Sequence, residues 1–168
     1  MRTHSAASVA TSLVAWALVA WTVAALVAGS AWAASGTAKL KGQILVSDQP
    51  VPTLDDEDKV ADTLKKWQKG TIEKPKDSES WTLHIISFPD KKPGVSQLSF
   101  VFYDVSEGKA KYLTTKDVTC DANAEILASE VEVDTEDGIK PGMKVDVTLA
   151  RIVGNKQTDL AKAKITLK

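Results

Sequence analysis

The sequence has one cysteine, Cys120, so no disulfide framework can form within the chain. It has two histidines, His4 and His84, and few aromatic residues, 6% of the total. It has no strong charge of either sign: 21 basic and 22 acidic residues leave a formal net charge of -1. That balance gives no electrostatic footprint for nucleic acid or for an anionic membrane surface. No G-x-S-x-G, H-E-x-x-H or phosphate-cradling glycine loop occurs. There is no internal repeat. The sequence therefore lacks the spacings that announce common hydrolytic, zinc-protease and nucleotide chemistries.

A long uncharged stretch is present, and it stands at the beginning. After Arg2 the next formally charged side chain is Lys39, and every acidic residue lies at Asp48 or later. Leu13 to Ala28 is an apolar core, and Ala31-Trp32-Ala33 is a small-residue site behind it. A basic start, an apolar core and an A-x-A site make a cleavable secretory signal peptide over residues 1–33. Residues 34–168 then form one exported domain, periplasmic or extracellular. The alternative is an uncleaved anchor, since about 20 apolar residues span a bilayer. A lipoprotein anchor is excluded, because it needs a cysteine at the cleavage point and Cys120 is far away.

The domain reads as strands. Trp81–Asp104 carries two apolar runs around the break PDKKPG. Leu83, Ile85, Leu98, Phe100 and Phe102 mark one face; Ile86, Phe88, Val101 and Tyr103 mark the other. A strand pair with one wet face alternates apolar and polar, so both faces of this predicted hairpin need cover. Ala38–Val46 reads as a first strand interrupted at Gly42. In the last third, Leu127, Val131 and Val133 alternate with acids. Met143, Val145, Val147 and Leu149 alternate with polar residues, as do Ala161, Ala163, Ile165 and Leu167. Turn pairs at Asp137-Gly138, Pro141-Gly142 and Gly154-Asn155 separate these strands. About seven short strands predict an all-β fold, a single antiparallel β-sandwich of immunoglobulin-like architecture. Lysines on the polar faces of the first and last strands suggest guarded edges and a monomer.

One helix is predicted at about residues 54–69. Val60, Leu64 and Trp67 form one stripe. Thr53 or Asp55 is a candidate cap, the acids of 55–58 suit its start, and Lys65, Lys66, Lys69 and Gly70 suit its end. This helix is the expected cover for Ile86, Val101 and Tyr103, with Trp67 near Ile86 or Tyr103.

Three candidate sites follow. If part of the second face stays open, Trp81, Ile86, Val101 and Tyr103 form a surface for a protein partner or an apolar ligand. Asp121, Asn123 and Glu125 space three oxygen ligands at alternate positions, as Ca²⁺ prefers, although Ile126 stands where an EF-hand has glycine. The loop with Asp134, Glu136 and Asp137 would add ligands if both loops lay at one end of the domain. Finally, Cys120 and His84 would make a thiol enzyme if the fold joined them, since a thiolate nucleophile needs a base nearby. As the odd cysteine of an exported chain, Cys120 could instead pair with another chain, with burial as the ordinary outcome. Absent any catalytic spacing, the expected function is non-catalytic: binding, or a structural part of an envelope or extracellular assembly.

Overall fold

The computed structural model describes residues 37–54 and 59–168. The predicted signal peptide of 1–33 and the acids of 55–58 lie outside the described residues. Eight strands follow in chain order: β1 (Gln43–Ser47), β2 (Thr71–Ile72), β3 (Ser80–Phe88), β4 (Gln97–Asp104), β5 (Lys111–Thr119), β6 (Leu127–Asp134), β7 (Met143–Val153) and β8 (Lys156–Leu167). One α-helix, α1 (Val60–Trp67), lies between β1 and β2. The described residues are all-β with one short helix, as the alternation predicts.

The strands hydrogen-bond into one sheet in the order β5-β4-β7-β8-β1-β3-β6, with β2 pairing β8 off this path. This continuous, nearly closed barrel-like sheet differs from the two separate sheets of a sandwich. It is also mixed, because β1 and β2 both run parallel to β8. Period-two patterning reports which face is dry, and it is blind to whether the dry faces belong to one curled sheet or to two flat ones.

The predicted hairpin of Trp81–Asp104 does not form. β3 pairs with β1 and β6, whereas β4 pairs with β5 and β7. The two runs instead contribute to one interior from separate parts of the sheet. Leu83, Ile85, Leu98, Phe100 and Phe102 all lie in the main core, with Val145, Val147, Leu149 and Ile165. Each such side chain, buried from water, contributes about 1.5–3 kcal/mol.

A second core lies outside the sheet. Val60 and Leu64 of α1 pack with Leu40, Leu45, Ile86 and Phe88, and Trp67 rests against them. The Trp67 indole donates to the carbonyls of Gln49 and Pro50, each at 3.0 Å. The helix thus covers Ile86, as predicted, but it sits on β1 and β3. Val101 and Tyr103, on β4, lie across β7 and β8 from it. Val101 is buried without the helix, flanked by its cross-strand neighbours Thr115 and Thr148.

The described helix starts at Val60, with Lys59 at the cap position rather than Thr53; the candidate cap Asp55 lies outside the described residues. It ends at Gln68, whose φ of -59° and ψ of 139° turn the chain extended. Gly70 is not among the positive-φ glycines, so it is no left-handed helix stop. Lys69 then ties the segment to β1, its N–H bonded to the Val46 carbonyl at 2.8 Å and its ammonium 2.6 Å from Asp48 Oδ1.

The predicted first strand is shorter than its pattern. Ala38–Leu40 is a turn of 3₁₀ helix, and Gly42 at φ 76° swings the chain into β1. Leu40 consequently joins the outer core, while Ile44 and Val46 join the inner one. Neither the first nor the last strand is an edge, since β8 lies between β7 and β1, and β1 between β8 and β3. The edges are β5 and β6.

Candidate functional site

The predicted partner surface is taken apart by the fold. Trp81 is fully buried in the main core. Its indole donates to the Lys168 carbonyl at 2.8 Å, and the Lys74 ammonium stands 5.5 Å from the ring centre. Ile86 is sealed beneath α1, and Val101 is 2% exposed. Tyr103 alone of the four keeps contact with solvent.

Cys120 and His84 are not brought together. Cys120 packs against the inner core, and its thiol lies 3.5 Å from the Val95 carbonyl. His84 sits between the inward Leu83 and Ile85, so it points outward, with Nδ1 3.3 Å from Glu130 Oε2. The sheet separates the two. Burial, and after it the charge of Asp121, pushes the thiol pKa above its usual value, opposite to what a thiolate nucleophile needs.

The acidic loops are also apart. Asp121, Asn123 and Glu125 precede β6, and Asp134, Glu136 and Asp137 close and follow it. At about 3.3 Å per residue the length of β6 holds the two loops roughly 20 Å apart, beyond the reach of one ion. Asp121 Oδ1 accepts the Asn123 N–H at 2.6 Å, an ordinary turn. Asp137 is engaged elsewhere. It accepts from Thr114 Oγ1 at 2.8 Å and lies 2.8 Å from Lys116 Nζ, both on β5. Among the described residues no group of three or more His, Cys, Asp or Glu side chains is placed to hold a metal.

What the fold does assemble is a row across the outer face. Tyr112 of β5 opposes Tyr103 of β4, Tyr103 opposes Asp146 of β7, and Asp146 opposes Lys164 of β8. Cross-strand partners share a face, so all four side chains stand on the outside. The two tyrosine rings meet edge to face, with centres 6.3 Å apart and planes at 76°. Tyr112 is 58% exposed. The Tyr103 hydroxyl donates to Gln157 Oε1 at 3.3 Å, and the Tyr112 hydroxyl pairs with Thr115 Oγ1 at 3.1 Å. Lys164 Nζ is 3.8 Å from Asp146 Oδ1, an ion pair without a hydrogen bond, and that oxygen is buried with no hydrogen-bonding partner.

An open groove of about 390 Å³ adjoins this row, lined by Lys144, Asp146, Lys164, Thr166, Gly70 and Ala110 among others. Beyond the row, Asp159 Oδ2 binds Lys162 Nζ at 2.7 Å. That hydrogen bond holds the Asp159 carboxyl below its ordinary pKa and raises that of Lys162.

Sequence reasoning found Tyr103 but missed Tyr112, Asp146 and Lys164. Their union depends on strand register between β5, β4, β7 and β8, and no spacing within the chain encodes it. No family model, curated protein or solved structure matches this chain.

Proposed function

We propose that the protein is an exported, non-catalytic β-domain that works by binding at its outer surface, as a component of the cell envelope or extracellular space. The leader pattern of residues 1–33 supports export. The observation that carries the binding reading is the outward row of Tyr112, Tyr103, Asp146 and Lys164 beside an open groove. An exposed aromatic next to a few fixed polar groups is how a surface gains both contact area and orientation. The interior is filled by packed apolar side chains, so the chemistry on offer lies outside.

The test is fractionation of the native host with an intact mass on the recovered chain. A mature chain beginning at Ala34 in the periplasmic or extracellular fraction supports export. A chain retained in the cytoplasm with residues 1–33 intact overturns it. A membrane-bound chain retaining those residues replaces the secreted form with an anchored one.

A further inference from the structure

We propose that the outer face of β5-β4-β7-β8 is a glycan-binding site, with Tyr112 as the stacking platform and Asp146 and Lys164 as the hydroxyl-binding groups. This deepens the binding reading given above and rests on it.

A sugar ring has an apolar face of C–H groups and a rim of hydroxyls. It is bound by an aromatic face flanked by groups that accept and donate at the rim. Tyr112 supplies the ring: it is 58% exposed and is braced edge to face against Tyr103. Asp146 supplies the acceptor. Its side chain is 30% exposed, and its Oδ1 stands 3.8 Å from Lys164 Nζ with no hydrogen-bond partner among the described residues. Lys164 supplies donors from a side chain that is 80% exposed. Three inter-strand steps of about 4.8 Å make the row roughly 14 Å across, longer than a single sugar ring, so the ligand class is an oligosaccharide or polysaccharide.

The groove beside the row extends the site. Gly70 and Ala110 leave it room, and Lys144 and Thr166 add polar groups at its wall. A Cβ placed at Gly70 would meet nothing within 4 Å.

Other ligand classes fit less well. A protein interface centres on an apolar patch that can be dried. Here the large exposed hydrophobics among the described residues are Val51, Tyr112, Ile152 and Val153. Tyr112 is the only one of them in this row. Nucleic acid calls for a field of one sign, but here Asp146 faces Lys164 and Asp159 faces Lys162.

The experiment titrates the folded mature chain with peptidoglycan fragments, chitooligosaccharides, α- and β-glucan oligosaccharides and heparin. Binding is followed by calorimetry and by amide chemical shifts. The expected result is saturable binding to at least one, with shifts centred on Tyr103, Tyr112, Asp146 and Lys164. Tyr112→Ala and Asp146→Asn then each weaken binding by about tenfold or more, at unchanged melting temperature. Gly70→Trp, which fills the groove without a clash at Cβ, also lowers affinity, whereas Glu125→Ala, exposed in the loop before β6, does not. No binding to any of these glycans overturns the proposal, as does binding that survives all three variants. If a protein from the host envelope binds through these residues and no glycan does, the glycan proposal falls while the binding reading stands. Export is decided separately by the intact mass.

Discussion

Lys116 Nζ lies 2.8 Å from Asp137 Oδ2, and this pair joins the two free edges of the sheet. Lys116 belongs to β5 and Asp137 to the turn that follows β6, strands that have no ladder between them. Thr114 adds a second bond from β5 to the same carboxylate, 2.8 Å long. The Asp134 N–H adds a third at 3.1 Å. Side chains here take the place of the backbone ladder that would close a barrel.

The seam should make stability sensitive to acid. Burial opposes ionisation of Asp137, but bonds from Lys116, Thr114 and the Asp134 amide outweigh it and hold the pKa below the ordinary 3.8. A carboxyl with a depressed folded pKa stabilises above its unfolded value, and that contribution is lost as pH falls below about 4 through the lower folded value. Asp137→Asn should therefore cost about 1–3 kcal/mol at pH 7 and less at pH 2. Urea unfolding at the two pH values measures this. An equal loss at both would show that the bonds, and not the charge, hold the seam.

The helix covers one end of the sheet only, and its removal should be felt only there. Leu64 is 1% exposed and packs with Leu45, Ile86 and Phe88. Leu64→Ala should destabilise by about 2–4 kcal/mol through lost burial and the cavity left behind. Amide shifts should change in β1 and β3 and remain fixed at Val101 and Tyr103. Shifts of equal size on β4 would mean that the outer core reaches further than its contacts indicate.

Much of this fold is legible in the sequence, and the rest is hidden for definable reasons. Alternation in 127–134, 143–149 and 161–167 names the inward residues correctly, because the pleat forces successive side chains to opposite faces. The stripe of Val60, Leu64 and Trp67 likewise names the helix and its cover for Ile86. Pairing is what the pattern withholds. Trp81–Phe88 and Gln97–Asp104 look like partners because they are neighbours in the chain, yet each finds its partners elsewhere. The candidate site inherits that blindness. Tyr112 and Lys164 lie 52 positions apart in the sequence, and only the register of four strands sets them in one row.

Gly42 shows the same limit locally, and it supplies a backbone test. Its φ of 76° lies where a side chain is strained, and a Cβ there would approach Asp90 Cβ at 3.9 Å, an ordinary contact. The cost of Gly42→Ala is thus conformational, about 1–2 kcal/mol. It should appear as a lower urea midpoint with an unchanged slope. A neutral result would require the turn before β1 to relax to negative φ, which the bonds from the Gly42 N–H to Phe88 and from the Lys162 N–H to Gly42 oppose.

Cys120 offers the last test, of reactivity. Its thiol packs against the core and is pushed toward the protonated form by burial and by Asp121. The reactive species is the thiolate, so alkylation depends on both access and pKa. In the folded protein at pH 8, iodoacetamide should label Cys120 more slowly, about tenfold or more, than it does in denaturant. Asp121→Asn should speed native labelling modestly, since it removes the second of the two causes and leaves burial in place. Cys120→Ser should leave binding at the outer face unchanged, because the thiol lies on the inner side of the sheet and Tyr112 on the outer. Native labelling as fast as in denaturant would place Cys120 in solvent, and would return a thiol-based function to consideration.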